Sequence, residues 1–374
     1  MATARHKVET YSQGFDTPLL LSVLLLTGIG IVMVYSASSA IANNSYGNGY
    51  LFIKKQAISA AMGCLMMLGT AMTPYRAYRR FAYIFIGISA LLIILTQIPG
   101  IGHSAGGASR WIKLGGFSVQ PSEIARLSMI IYLAYSLTKK QEFIKDFSIG
   151  FLPHVIFFLV FAILIMFQPD FGSVAILGMI TWIMMFVGGV SIVHLVLSLL
   201  PAIPVFIFVM VSASYRMERL VSFLDPWKYR SDEGYQIVNS LMAFGSGGIL
   251  GKGLGNGYQK LFYLPEPHTG FIFSVIGEEL GLWGVLAIIT VFAVVILRGI
   301  SIARNTEDRF GSLLATGIVT SLGLQVCINM GVAMGLLPPK GLALPFLSYG
   351  GSSLIINMAA TGILINIART GNHG

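Results

Sequence analysis

An all-α integral membrane protein with about ten transmembrane helices is the fold class this sequence predicts, and three observations predict it. Hydrophobic residues make up 55% of the chain and charged residues only 10%, against roughly 25% charged in soluble domains. Apolar runs long enough for a bilayer core about 30 Å thick recur along the whole length, with no soluble domain between them. Lysine and arginine gather in alternate loops, the pattern of a chain threaded repeatedly through one membrane.

The first run, near residues 17–37, follows a short tail, 1–16. It is long, lacks a small-residue cleavage site and is followed by further runs, so it reads as a retained span and not as a leader. Spans follow near 54–72 and 80–98, then near 122–138, where Pro121 suits a first helical turn. Further apolar runs lie near 151–168, 171–188 and 190–211. A polar, glycine-rich segment, 212–270, interrupts the series as one large loop, and spans near 271–297, 310–336 and 345–367 complete it. The whole chain, 1–374, is read as one polytopic domain.

With ten spans both termini share a side, and that side collects Arg76, Arg79, Arg80, Lys139, Lys140, Arg298, Arg304 and Arg369 among others. The inside-positive bias makes it cytoplasmic and turns the 212–270 loop outward. The protein is therefore expected in a cytoplasmic membrane with its working face outside. The net charge of +9 is scattered over short loops, which argues against a nucleic-acid partner. Cys64 and Cys327 both sit in apolar runs and are expected to be free thiols.

Several functions are excluded by spacing. The segment "GSGGILGKGLGNG" invites a phosphate-loop reading, but Ser246 stands where the first glycine is needed and Gly253 follows Lys252 where Ser or Thr is needed. A dinucleotide fingerprint needs a parallel βαβ unit that a chain of membrane spans does not supply. Six dispersed histidines form no zinc-like spacing.

Polar residues at membrane depth are costly and so are site candidates: Glu123, Arg126, Glu278, Glu279, Gln325 and Asn329. The competing reading is a buried network that holds helices together. Glu123 follows "QPS" at the outer start of a span, where Arg110 and Lys113 reach it if their loop folds back. On the outer face Arg110, Lys252, Lys260 and Lys340 stand near Glu123, Glu266 and His268. Cations beside a bilayer surface suit a phosphate-bearing lipid head group. The many glycines of 245–257 let backbone approach a ligand closely.

The ordered series "VMVYSASS", "GASRWIKLGGFSVQPSEIARL", "FQPDFGS", "GSGGILGKGLGNGYQKLFYLPEPHT", "FIFSVIGEELG" and "LLPPKGLALPFLSYGGSSL" resembles the SEDS family of cell-wall polymerases over nearly the whole chain. Within it the "LLPPKGLALPFLSYGGSS" and "FIFSVIGEELG" segments are more similar to the cell-division branch than to the elongation branch. The resemblance implies a peptidoglycan glycosyltransferase that joins lipid II units outside the membrane, beside a class B penicillin-binding protein and other division proteins. It implies substrate contacts at Arg110, Trp111, Glu123, Lys252, His268, Lys340, Ser348, Tyr349, Gly350, Gly351 and Ser352. No cofactor is required by the sequence, with a divalent cation, Mg2+ or Mn2+, as an alternative carrier of positive charge at the leaving pyrophosphate.

The family's general base is an aspartate directly after "HT", and in this chain that position is Gly270. The resemblance thus implies a polymerase impaired at deprotonation of the acceptor, with Glu266 and Glu123 as candidate substitutes. Glu278 and Glu279 are poor ones, because along a continuous helix they lie about 12 to 14 Å beyond Gly270. A lipid II flippase and a division scaffold are the alternative classes. The absence of a visible internal repeat weighs against the transporter.

Overall fold

The computed structural model describes residues 16–105, 108–115, 117–212, 214–232, 234–261, 264–265 and 267–370. Twelve α-helices dominate these residues. Ten are the predicted spans: α1 (Thr17–Tyr46), α2 (Leu51–Met72), α3 (Arg76–Leu95), α4 (Pro121–Lys139), α5 (Leu152–Met166), α6 (Phe171–Val187), α7 (Ile192–Val211), α10 (Ile272–Asn305), α11 (Arg309–Ala333) and α12 (Gly351–Thr370). Eight of the spans are long and apolar enough to cross a bilayer by length and composition, with α5 counted from Phe147, and α6 is a shorter apolar helix. The remaining one, α4, carries Glu123, Arg126 and Lys139.

Two short helices, α8 (Ser214–Leu224) and α9 (Tyr235–Gly247), lie inside the segment expected to be a loop. The sequence predicts no strand. The structure adds a three-stranded antiparallel sheet of β1 (Gly102–Ala105), β2 (Ala108–Leu114) and β3 (Phe117–Val119) between α3 and α4.

Local chemistry sets the helix ends. Asp16 caps α1 by accepting from the Leu19 amide and is ion-paired with Arg298 of α10 at 2.7 Å. Asp170 and Asp308 cap α6 and α11 in the same way, each accepting an amide that would otherwise lack a partner. Pro121 opens α4 as expected. The last span starts at Gly351, later than the predicted 345, because Leu344–Gly350 is a turn held by Ser348 and not helix.

Packing sorts the helices into an inner and an outer set. α4, α11 and α12 are enclosed, while α7 is almost wholly exposed on its apolar surface. Lipid offers no hydrophobic drive between spans, so close approach of small residues and interhelical hydrogen bonds must bind them. The α2–α12 pair shows both. Gly362 lies so near the Met67 carbonyl that a β-carbon there would collide, and Thr70 donates to the Ala359 carbonyl at 2.9 Å. Asn366 ties the end of α2 from two directions, donating to the Ala71 carbonyl and accepting from the Tyr75 amide, each at 2.8 Å.

Candidate functional site

The N-terminal end of α4 collects the first group of charges. Glu123 and Arg126, one helical turn apart, form a buried bidentate pair, and Arg126 also lies 3.4 Å from Asn357 of α12. The predicted reach of Arg110 to Glu123 is not what binds Arg110. The sheet instead aims its guanidinium at the start of α6, where it donates to the carbonyls of Gln168 and Pro169 at 3.0 and 2.7 Å. The reason is local: those carbonyls follow the end of α5 and have no helical partner of their own. Trp111, next to it in β2, pairs with His103 of β1.

Lys340 enters from the Leu336–Gly350 segment. Its stem lies directly over Gly172, so that a β-carbon at 172 would collide with it. Its ammonium stands 4.0 Å from Asp170, and the nitrogen is buried with no hydrogen-bond partner among the described residues. Burial lowers its pKa to about 8, partly countered by the charges of Asp170 and Glu123 and reinforced by Arg110 and Arg126. Arg110, Arg126, Lys340, Glu123 and Asp170 thus form one electrostatic unit carrying a net positive charge. Asp170 belongs to the "FQPDFGS" motif, yet the sequence reading does not single it out as a site residue. A lone acid between two apolar runs is itself the signal that could have found it.

Gly270 stands against the segment that follows Lys340. A β-carbon built there would meet the Gly341 α-carbon at 3.5 Å and the Leu342 carbonyl oxygen at 3.9 Å, which is ordinary contact. Asn329 of α11 clamps the two strands of chain together, donating to the Gly270 carbonyl at 2.9 Å and to the Leu342 carbonyl at 2.6 Å. The 270 position and the residue next to Lys340 are therefore held face to face. Glu266, one of the candidate substitutes for the missing base, lies outside the described residues.

His268, Ser348 and Tyr349 fasten the same two segments. The Ser348 hydroxyl donates to the Thr269 carbonyl at 2.6 Å and accepts from the Leu344 amide, and the Tyr349 amide donates to the His268 carbonyl at 2.8 Å. The His268 ring packs against Phe52 and Tyr349, with centroids 4.5 and 5.4 Å away. Burial pushes its pKa down to about 4, so the ring is neutral near pH 7. Ser352 accepts from the Gln120 amide, while Gly350 and Gly351 lead into α12, with Gly351 close to Ser59.

Two sequence expectations need correction here. Lys252 and Lys260 are expected as outward bases, but each is ion-paired with a buried acid of α10: Lys252 with Glu278 at 3.2 Å and Lys260 with Glu279 at 2.5 Å. Glu278 also accepts from the Tyr258 and Gln259 amides, and Glu279 from Ser36 of α1. Unpaired carboxylates at that depth would be prohibitively costly, and the loop folds down to neutralise them. The glycines, secondly, serve contact with the protein's own helix. Gly247, Gly251 and Gly257 press against Gly277, Glu279 and Glu278, leaving no room for a β-carbon. The amides of Lys252 and Gly253 donate to the carbonyls of Glu278 and Glu279, and that of Leu282 to Gly248. Gly281 takes a positive φ of 65°, which kinks α10 and exposes those carbonyls to the loop.

Among the described residues no cluster of three His, Cys, Asp or Glu could cage a metal ion. Among the described acids Glu123 is committed to Arg126 and Asp170 to Ser173, so these two do not fit a resident divalent cation.

Comparison with known proteins places this arrangement. The family model described as "Cell cycle protein", covering FtsW, RodA and SpoVE, matches residues 17–373. The chain belongs to this family. It is 46% identical over 354 residues to a probable peptidoglycan glycosyltransferase FtsW of Geobacter metallireducens, covering 95% of this chain and 94% of that one. Stage V sporulation protein E of Bacillus subtilis is 42% identical over 355 residues, covering 95% and 97%. A solved chain from work on the structural coordination of polymerization and crosslinking by a peptidoglycan synthase complex superposes with a TM-score of 0.79 at 26% identity, covering 96% of this chain and 99% of that one. The rod shape determining protein RodA of Thermus thermophilus, solved as an Asp-to-Ala mutant, superposes at 0.71 with 25% identity over the same shares. The higher identity to the FtsW relative than to RodA agrees with the cell-division branch expected from the sequence.

Proposed function

We propose that this chain is a peptidoglycan glycosyltransferase of the division type, built to extend glycan strands from lipid II at the outer face of the cytoplasmic membrane. The observation that carries the reading is the juxtaposition of Gly270 with Gly341, which sets the family's base position against the segment that carries Lys340, whose buried ammonium is unpartnered among the described residues. Glycosyl transfer from a lipid pyrophosphate needs a base for the acceptor hydroxyl and cations for the leaving group. Lys340, Arg110 and Arg126 supply the cations. Position 270 supplies no base, so this chain binds substrate and polymerises it poorly.

On this reading a class B penicillin-binding protein and other division proteins are the partners, both termini are cytoplasmic, and the segment containing α8 and α9 faces outward. The glycosyltransferase name of the FtsW relative supports it, as does the pairing of polymerization with crosslinking in the synthase complex that the fold resembles. A scaffold role also accommodates Gly270, and the two readings part at one experiment. Purified protein is incubated with lipid II and its partner transpeptidase, and glycan products are resolved with Gly or Asp at 270. A polymerase gains activity with the aspartate, whereas a scaffold or flippase gains none.

A further inference from the structure

At the opposite end of α4 from Glu123, about 24 Å along the helix axis, the structure contains a second charged feature that glycosyl transfer does not use. A cavity of about 540 Å³ is lined by Arg76, Arg79, Arg80 and Tyr83 of α3, by Tyr135 and Lys139 of α4, and by Asp308 and Phe310 at the start of α11. The α3 residues follow the i, i+3, i+4, i+7 spacing of a single helix face. Asp308 is already engaged, capping α11 through the Gly311 amide at 3.0 Å. Among the described residues, none of the three arginines or Lys139 holds an ion pair. Four cations around one acid, gathered at the mouth of a cavity, call for an anion.

The layering of the cavity says which kind. Arg76 begins α3, and Tyr83 lies about 10 Å deeper along it. Tyr83 packs edge-on against Tyr135, while Lys139 lies 5.7 Å over the Tyr135 ring. Beside them Phe81 and Ile84 are about half exposed on the outer surface of the bundle. Guanidinium groups over the first turn of α3, with tyrosines and exposed apolar side chains together one to two turns further along, follow the profile of one membrane leaflet. We infer that this cavity is a binding site for the phosphodiester head group of an acidic phospholipid in the cytoplasmic leaflet. Guanidinium forks pair with phosphate oxygens in two-pronged geometry, and basic pockets between spans on this side are suited to anionic head groups. The site rests on the cytoplasmic placement of this end and is independent of the chemistry at position 270.

The test reads lipid and not glycan. Tyr83→Trp places a fluorophore in the cavity without altering charge, in a background where Trp111, Trp182, Trp227 and Trp283 are replaced by Phe. The full-length protein is reconstituted in vesicles of phosphatidylcholine with increasing brominated phosphatidylglycerol, and then with brominated phosphatidylcholine as the control. Quenching is expected to show at least about a fivefold preference for phosphatidylglycerol at low salt, reduced by added salt. Arg79→Gln with Arg80→Gln should abolish the preference, and Arg79→Lys with Arg80→Lys should keep part of it. Equal quenching by the two lipids overturns the inference. So does relief of the phosphatidylglycerol signal by millimolar inorganic phosphate or by an acidic peptide, either of which assigns the cavity to a soluble anion or a protein partner.

Discussion

Restoring an aspartate at position 270 is the perturbation on which the catalytic reading stands or falls. The site admits it. The β-carbon falls at 3.5 Å from the Gly341 α-carbon, in ordinary contact, and Gly270 is not among the glycines with a left-handed φ, so Gly270→Asp meets neither clash nor backbone strain. The carboxylate would stand just before Phe271, the N-cap of α10, which lacks a side-chain cap. Negative charge there is favoured by the helix dipole by about 0.3 to 1 kcal/mol, and loss of glycine's freedom in the unfolded chain contributes about as much again. Stability should therefore change little, while rate changes greatly. A positioned general base contributes roughly 10²- to 10⁴-fold, equivalent to about 2.7 to 5.4 kcal/mol of barrier. The assay is glycan synthesis from purified lipid II with the partner transpeptidase present, alongside thermal unfolding of both forms. Full activity in the Gly270 protein with no gain in the aspartate variant refutes the reasoning and moves the base to Glu266 or Glu123. Loss of lipid II binding in the variant refutes the placement of the acceptor at this position.

The other predictions concern the groups around that position. Lys340 has a pKa lowered to about 8, so its ammonium is charged below pH 8 and lost above it; affinity for lipid II, read by binding titration, should fall as pH rises through 8, and Lys340→Arg should flatten the profile. The same lowering sets a stability sign: the cost of burying the charge is fully present below about pH 8 and disappears towards the unfolded value of about 10.5, so the wild type should gain on Lys340→Met with rising pH in that window. Glu278→Ala leaves Lys252 and two loop amides without their acceptor, and removal of one partner of a buried pair costs about 3 to 5 kcal/mol, visible as a lowered melting temperature and early proteolysis after Lys252. Asn329→Leu frees the Gly270 and Leu342 carbonyls; at about 1 to 3 kcal/mol per buried group left unsatisfied, it should destabilise the protein and lower activity even in a Gly270→Asp background, and an unchanged double variant would remove Asn329 from the clamp.

The all-α membrane fold class and the recurrent apolar helices were legible in the sequence, because they depend on composition and period, and lipid leaves a helix as the only open-chain way to satisfy its backbone. Position 270 was legible only through a motif, since a residue without a side chain sends no chemical signal of its own. Which charges pair with which was settled in three dimensions. Glu278 and Glu279 read as acids adrift in a span until the glycine-rich loop is seen folding down to bring them Lys252 and Lys260. Lys252 and Lys340 look alike on paper, each a lysine beside a glycine in a polar loop. One is paired 3.2 Å from a carboxylate, and the other is buried 4.0 Å from Asp170 without a hydrogen bond among the described residues. Coulomb energy and desolvation depend on distances measured across helices far apart in the chain, and local sequence does not encode those distances.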